Sequence, residues 1–265
     1  MLKSKAYPTD LQDNEWQVLE KELPQPSGQG RPRSHSQRAI LNGIFYVLHN
    51  GITWRSMPHD FPPWQTVYHY FRLWRITGVW RELNRKLREL LRKRLKRHPQ
   101  PSAAILDSQS VKTVEGGQER GVDVHKQCNG RKRHILVDTL GLLLSVYVSA
   151  ASVTDPSAAK VLLECFFNQF FQSFRLKHIW ADAGYQGTLV TWVHHTLGWC
   201  LEIVKRPRHA TGFVLLPKRW IVERTFAWLT RHRRLSRDFE KLPETSEAFI
   251  YLAMTRIMLK RLARA

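Results

Sequence analysis

The sequence predicts an α/β protein: a mixed five-stranded sheet with helices on its faces, preceded by an all-helical region. Three observations predict it. Up to about residue 97, apolar residues recur at helical spacing, whereas from residue 103 short apolar runs take over. The segment RHPQPS (97–102) punctuates the change, and divides the chain into regions 1–100 and 103–265. Beyond it the order reads βββαβαβα, a hairpin followed by strand–helix alternation, which builds a mixed sheet.

In the front region, Thr9-Asp10 and Asp13-Asn14-Glu15 offer caps to a helix carrying Trp16, Val18 and Leu19. PQPSGQGRPR (24–33) reads as a loop. Ser36 to Asn50 is a helix, with Ile40, Leu41, Ile44, Phe45, Val47 and Leu48 at helical spacing and Gly51 as its stop. Pro58, Pro62 and Pro63 make 57–64 a rigid turn, and Thr66 caps a helix through Trp74. Val79 to Arg97 is amphipathic, with Leu83, Leu87, Leu90, Leu91 and Leu95 in one stripe. Its other faces are basic. They are either solvated or in contact with phosphate, in which case Arg88, Arg92 and Lys96 are the expected contacts.

In the second region, Ala103 to Leu106 is a strand ending at Asp107. The polar stretch 113–130 reads as a loop. Arg133 to Thr139 and Leu142 to Ala150 are strands joined by a turn at Leu140-Gly141. Asp155-Pro156 opens a helix to about Phe171. Leu176 to Ala181 is a strand ending at Asp182, Thr188 to Leu197 a helix closed by Gly198, and Cys200 to Val204 the fifth strand. Helices follow from Pro217 to about His232 and from about Glu244 to Leu262.

Lys plus Arg number 42 against 22 Asp plus Glu, a formal charge of +20. That excess asks for a polyanionic partner, nucleic acid or an acidic membrane surface. Three cysteines exclude a disulfide scaffold, and without a CxxC pair they argue against structural zinc. No apolar run is long enough to span a membrane, and no export signal follows Lys3 and Lys5, so a cytoplasmic protein is expected. There is no GxxxxGK[ST] loop for ATP.

Three acids stand out by position. Asp107 and Asp182 each close an apolar run, and Glu223 lies within RWIVERTFAWL. Ligand sites in open α/β sheets form at the carboxyl ends of strands. If the first and fourth strands are neighbours, the two aspartates converge, and Glu223 on a helix across that edge completes a cluster. Three carboxylates repel one another unless a cation joins them, and an all-oxygen set suits two Mg²⁺, or Mn²⁺ in their place. Such a pair serves phosphoryl transfer. Taken singly, each acid could equally be a cap or a surface ion pair, and Asp123 and Asp138 are further acids, the latter suited to a turn. Basic residues surround the proposed cluster: Lys126, Arg131, Lys132 and Arg133; Lys205 and Arg206; Lys218, Arg224, Arg231 and Arg233. Arg219, one turn before Glu223, suits a phosphate or the glutamate itself.

Four segments in order, AAILDSQSVKT (103–113), GRKRHILVDTLGLLL (130–144), IWADAGYQG (179–187) and WIVERTFAWLTRHRRL (220–235), resemble the DDE transposases of the bacterial insertion-sequence five family. LNGIFYVLHNGITWRSMPHDFPPWQTVYHYF (41–71) and YPTDLQDNEWQVLE (7–20) extend the resemblance over nearly the whole chain. It implies a ribonuclease-H-like core, with Asp107, Asp182 and Glu223 as catalytic metal ligands and Arg219 as the accessory arginine. The family's accessory tyrosine and lysine positions hold Leu216 and Thr230 here. The implied activity is cleavage at the terminal inverted repeats of a mobile element and joining to target DNA. The implied partners are double-stranded DNA and a second copy of the chain. The front region is then the expected reader of repeat ends. A non-transposing nuclease and a DNA-binding repressor are the alternatives.

Overall fold

The computed structural model describes residues 6–24, 34–114, 117–170, 175–205 and 218–264. The front helices are α1 (Asp13–Glu20), α2 (Gln37–Asn50), α3 (Trp64–Ile76) and α4 (Val79–Arg94). There follow β1 (Ala103–Lys112), β2 (Gly121–Asp123), β3 (Cys128–Asp138), β4 (Leu143–Ala150), α5 (Asp155–Phe170), β5 (His178–Ala181), α6 (Thr188–Trp192), β6 (Cys200–Ile203), α7 (Arg219–Thr230) and α8 (Pro243–Arg264). α6 runs on into a π turn, Val193–Leu197.

β1 lies at the centre of the sheet. β3 pairs with it antiparallel on one side and β5 parallel on the other, with β6 parallel beyond β5. β4 and the short β2 both pair antiparallel with β3, on the edge away from β1. This mixed, curled sheet with helices on both faces is the ribonuclease-H-like architecture. All five expected strands are present. The sixth, β2, falls in the stretch read as a loop, and β1 and β3 are longer than their apolar runs. Asp107 is therefore not a strand end: β1 continues to Lys112 against β3, although its pairing with β5 stops at Ile105↔Trp180. Asp107 instead occupies the step where β1 has outrun its parallel neighbour, level with the end of β5.

Successive β1 residues feed opposite faces. Ala104 and Leu106 pack with Leu162 and Phe166 of α5 and with Leu189 and Val193 beyond it. Ile105 faces the other way, into a core shared with α1–α4, α7 and α8. That second core runs without a break across the punctuation at 97–102. Two glycines permit close approaches. A Cβ at Gly130 would lie 2.0 Å from the Val111 carbonyl oxygen of β1. Gly141, at φ +80°, turns β3 into β4 directly beneath Thr225 and Trp228 of α7.

Five of the residues expected as DNA contacts are buried in the structure. Arg88 is fully buried and donates to the Leu143 carbonyl at 3.1 Å. Arg92 is buried, donates to the His98 carbonyl at 2.8 Å and pairs with buried Asp138. Asp138 also accepts the Leu140 and Leu142 amides, as a turn residue does. Arg131 pairs with buried Asp238 at 3.3 Å and donates to the Glu240 carbonyl. Arg133 donates to the carbonyls of Leu235 and Arg237. Burial pushes the guanidiniums of Arg88 and Arg133 down to about 10. These arginines fasten α4 and the α7–α8 connection to the sheet through protein carbonyls and the carboxylates of Asp138 and Asp238. Lys132 is buried as well, between Asp123 and Asp155 at 3.6 and 3.4 Å.

Candidate active site

Asp107 is partly buried on the sheet face that α7 covers, with Oδ1 accepting the Ser108 amide at 2.7 Å. Burial, reinforced by the Asp182 charge and opposed by the Ser108 amide, pushes its carboxyl up to about 7. Asp182 follows β5 directly and caps the short turn Ala183–Tyr185, accepting the Gly184 amide at 2.9 Å. Glu223 is exposed on α7, one turn after Arg219. The Arg219 guanidinium bridges the two, 3.4 Å from Glu223 and 3.8 Å from Asp182.

α7 holds this position for identifiable reasons. Thr225 Oγ lies 3.0 Å from the Gly141 carbonyl oxygen, and Arg224 donates to the Leu140 carbonyl at 3.2 Å. Val222, Phe226 and Leu229 are buried beneath, so Glu223 is turned outward toward the β1–β5 step.

Three residues that the sequence did not assign to the site, Ser108, Asp155 and Tyr185, lie against it. Ser108, facing the opposite side of β1 from Asp107, donates to Asp155 at 2.9 Å. A Cβ at Gly184 would meet Asp182 at 3.1 Å and Asp155 at 3.9 Å, so both carboxylates flank the same narrow turn. Tyr185 is buried with its hydroxyl beside Ser108, and burial plus the charges of Asp107 and Asp155 raise its pKa. Asp155 reads in sequence as an ordinary helix opener before Pro156. Nothing in that dipeptide signals its approach to Ser108.

The donor set suits a hard cation. All of its donors are oxygens, and the Asp107 carboxyl, lifted chiefly by burial and further by the Asp182 charge, would be stabilised as the anion by a cation there. Among the described residues, no three acids, histidines or cysteines are drawn together as a ready metal cage; Arg219 stands between Asp182 and Glu223 instead.

Of the expected basic rim, Lys126, Lys205 and Lys218 are exposed, and Lys126 is close enough to Asp107 to act on its charge. Lys218 lies over Trp180 at 5.1 Å. Arg224 is half-buried between the rings of Trp220 and Trp228, at 4.4 and 4.6 Å. Arg231 and Arg233 are exposed at the far end of α7, and Lys96 is exposed beyond α4. Thr230 is exposed, its hydroxyl donating to the Ala227 carbonyl. Arg206 and Leu216 lie outside the described residues.

Residues 98–258 match the family described as "Transposase DDE domain", and residues 11–84 match "Putative transposase of IS4/5 family". Two proteins of Burkholderia cepacia are similar. "Insertion element IS402 uncharacterized 16.2 kDa protein" is 34% identical over 123 residues, which is 42% of this chain and 78% of that protein. "Putative transposase for insertion sequence element IS402" is 31% identical over 141 residues, 51% of this chain and 66% of that one. No described helix is long and apolar enough to cross a membrane.

Proposed function

The chain belongs to the DDE-type transposases of the IS4/5 family, and from that premise we propose that it binds the terminal inverted repeats of an insertion sequence, cuts their ends and joins them to target DNA. The observation that supports this reading is that Arg219 reaches both Asp182 and Glu223, at the step of the sheet where Asp107 lies level with the end of β5. Asp107, Asp182 and Glu223 would hold two Mg²⁺, with Mn²⁺ as a substitute. Bound there, the ions supply activation of the attacking oxygen and stabilisation of the leaving one.

The chain's own residues supply the rest. Arg219 offsets one of the two charges of Asp182 and Glu223, and its remaining N–H donors can take a phosphate oxygen. Lys126 and Lys218, with Lys205 after β6, lower the cost of bringing a polyanion to a cluster of acids. Water attacks phosphorus at the element end and releases a 3′-hydroxyl. That hydroxyl then attacks a target phosphodiester, forming one P–O bond as another breaks. One site serves both displacements. A dimer would bring two element ends together, and the front helices would contribute to reading the repeats.

The test is incubation of purified protein with end-bearing DNA in Mg²⁺ or EDTA. Cleavage and joining are expected in Mg²⁺ alone. Cleavage without joining would reduce the protein to a nuclease, and binding without either to a repressor.

A further inference from the structure

A second basic site lies at the other end of α7. The last turns of α2, α7 and α8 meet around a cavity of about 370 Å³ whose lining includes Trp228, Arg231, Arg256, Lys260, Arg261 and Arg264. On α8 these cations recur at 256, 260, 261 and 264, one face of the helix. His49, His232 and Ile257 line it too, and among the described residues no acid does, although the charges of Asp138 and Glu15 act on Arg261 and Lys260. Glu15, behind the wall, is taken up by Arg256 at 2.6 Å; among the described residues none of the other lining cations has a salt bridge.

Cations at helix C-termini ordinarily offset the dipole, but each terminus offers only about half a negative charge. Three such ends leave the cations in surplus even after Glu15 is counted. The surplus is felt locally: burial, His49 and the nearby Lys260 and Arg256 push His232 down to about 4. Lys260 and Arg261 are lowered too, by burial and then by neighbouring arginines.

The geometry also indicates which part of a nucleic acid fits. Arg261 lies 4.3 Å from the Trp228 ring centre and Arg224 lies 4.6 Å from it, each over the ring. Arg224 also covers Trp220, so Trp220, Arg224, Trp228 and Arg261 form a ladder along α7 and α8. With the ring already stacked on guanidinium, a base gains little there. A stacked guanidinium nevertheless keeps its edge N–H donors free for phosphate. Arg231 is eight residues after Glu223, or about 12 Å along the helix at 1.5 Å per residue.

We propose that this cavity is a phosphodiester-binding pocket that holds the DNA backbone beyond the reacting end, making α8 part of the DNA interface. The pocket rests on the transposase reading for its ligand and extends it to Lys260, Arg261 and Arg264 of α8, which neither the motifs nor the comparisons single out.

The test is duplex-DNA binding by the full chain, measured by fluorescence anisotropy across a salt series. Lys260 and Arg264 are exposed, and K260Q with R264Q together should weaken binding and lower the slope of log K on log salt by about 1–2. K260R alone should keep the slope. R175Q with K177Q removes the same charge at the opposite end of β5 and should also leave the slope unmoved. Phosphate-ethylation interference should then lose one or two neighbouring phosphates in the K260Q/R264Q variant. An unchanged slope overturns the pocket. So does an equal fall in the R175Q/K177Q control, which would reduce the effect to net charge. A third arm titrates inorganic phosphate while following the His232 ring by NMR. Saturation there with an unmoved DNA slope would make the cavity a free-anion site and overturn the DNA assignment. A parent protein that binds no duplex DNA would instead overturn the wider reading.

Discussion

At the scale of single residues, the site is a problem of like charges held apart by one guanidinium. Asp107 lies level with Asp182 by the register of β1 and β5, and Arg219 lies between Asp182 and Glu223. Replacing Glu223 by Gln keeps its shape and removes a charge that repels phosphate. DNA binding should stay level or tighten slightly, while end cleavage and joining should both fall by more than the roughly 10–100-fold typical of outer-shell changes around a metal. Asp107→Asn and Asp182→Asn should behave alike. A variant that folds, binds and still cuts within about threefold of the parent is not a ligand. Glu247 offers a test of stability instead. It accepts the Val148 amide at 3.0 Å, and burial pushes its carboxyl up to about 7. Above the ordinary glutamate range, the folded chain therefore holds a proton there that the unfolded chain has already released. Stability is lost as pH rises from about 4.5 through 7, at up to about 1.4 kcal/mol for each pH unit crossed, and by less where solvent screens the carboxyl. Glu247→Gln should leave stability at pH 5 nearly unchanged and raise it by about 1–2 kcal/mol at pH 8, measured by urea unfolding. An equal effect at both pH values would refute the assignment.

At the scale of elements, the turn between β3 and β4 sets the height of α7. A Cβ at Gly141 would lie 2.8 Å from Thr225 Oγ and 3.0 Å from the Trp228 ring, in a backbone conformation that L side chains rarely adopt. Gly141→Ala should cost about 1–3 kcal/mol and, by displacing the helix that carries Glu223, lower cleavage in protein that remains folded. Full activity in the folded fraction would show that α7 tolerates the shift. The buried arginines give the complementary test. Arg88→Gln should destabilise, because the Leu143 carbonyl loses a donor, by about 1–3 kcal/mol, and should leave the salt dependence of DNA binding unchanged. This is where the sequence was hardest to read. Five of the six strands, Asp182 at the end of β5 and the helix carrying Glu223 were legible, because apolar runs of strand length and helical spacing mark them directly. The early part of β3, CNGRK, was not, since Arg131 is satisfied by the Gln118, Glu240 and Lys241 carbonyls and Lys132 by Asp123 and Asp155, partners distant in sequence. The basic face of α4 misled for a similar reason. The helix is buried by α8 over an arc wider than its leucine stripe, and that arc takes in Asn84, Arg88 and Arg92.

At the scale of the whole molecule, the change of pattern at 97–102 separates two kinds of secondary structure but not two cores. Leu83, Leu87 and Leu91 of α4 and Phe249, Leu252 and Met258 of α8 belong to one buried cluster, together with Ile105, Val137 and Val146 of the sheet. The link is ionic as well. Arg256 of α8 is paired with Glu15 of α1 at 2.6 Å, and Arg94 of α4 donates to the Leu262 carbonyl at 2.5 Å. Removing the front helices would bare many large apolar side chains at about 1.5–3 kcal/mol each, against a total stability of about 5–15 kcal/mol for a typical domain. A fragment beginning at residue 98 should therefore lack a cooperative thermal transition, bind a hydrophobic dye and fail to cut, although it keeps Asp107, Asp182 and Glu223. Calorimetry and dye fluorescence on the fragment, beside the full chain, check this. A fragment that melts cooperatively near the parent temperature would show that the sheet and α8 are stable alone, and the front helices would then be free to move as a separate reader of DNA ends.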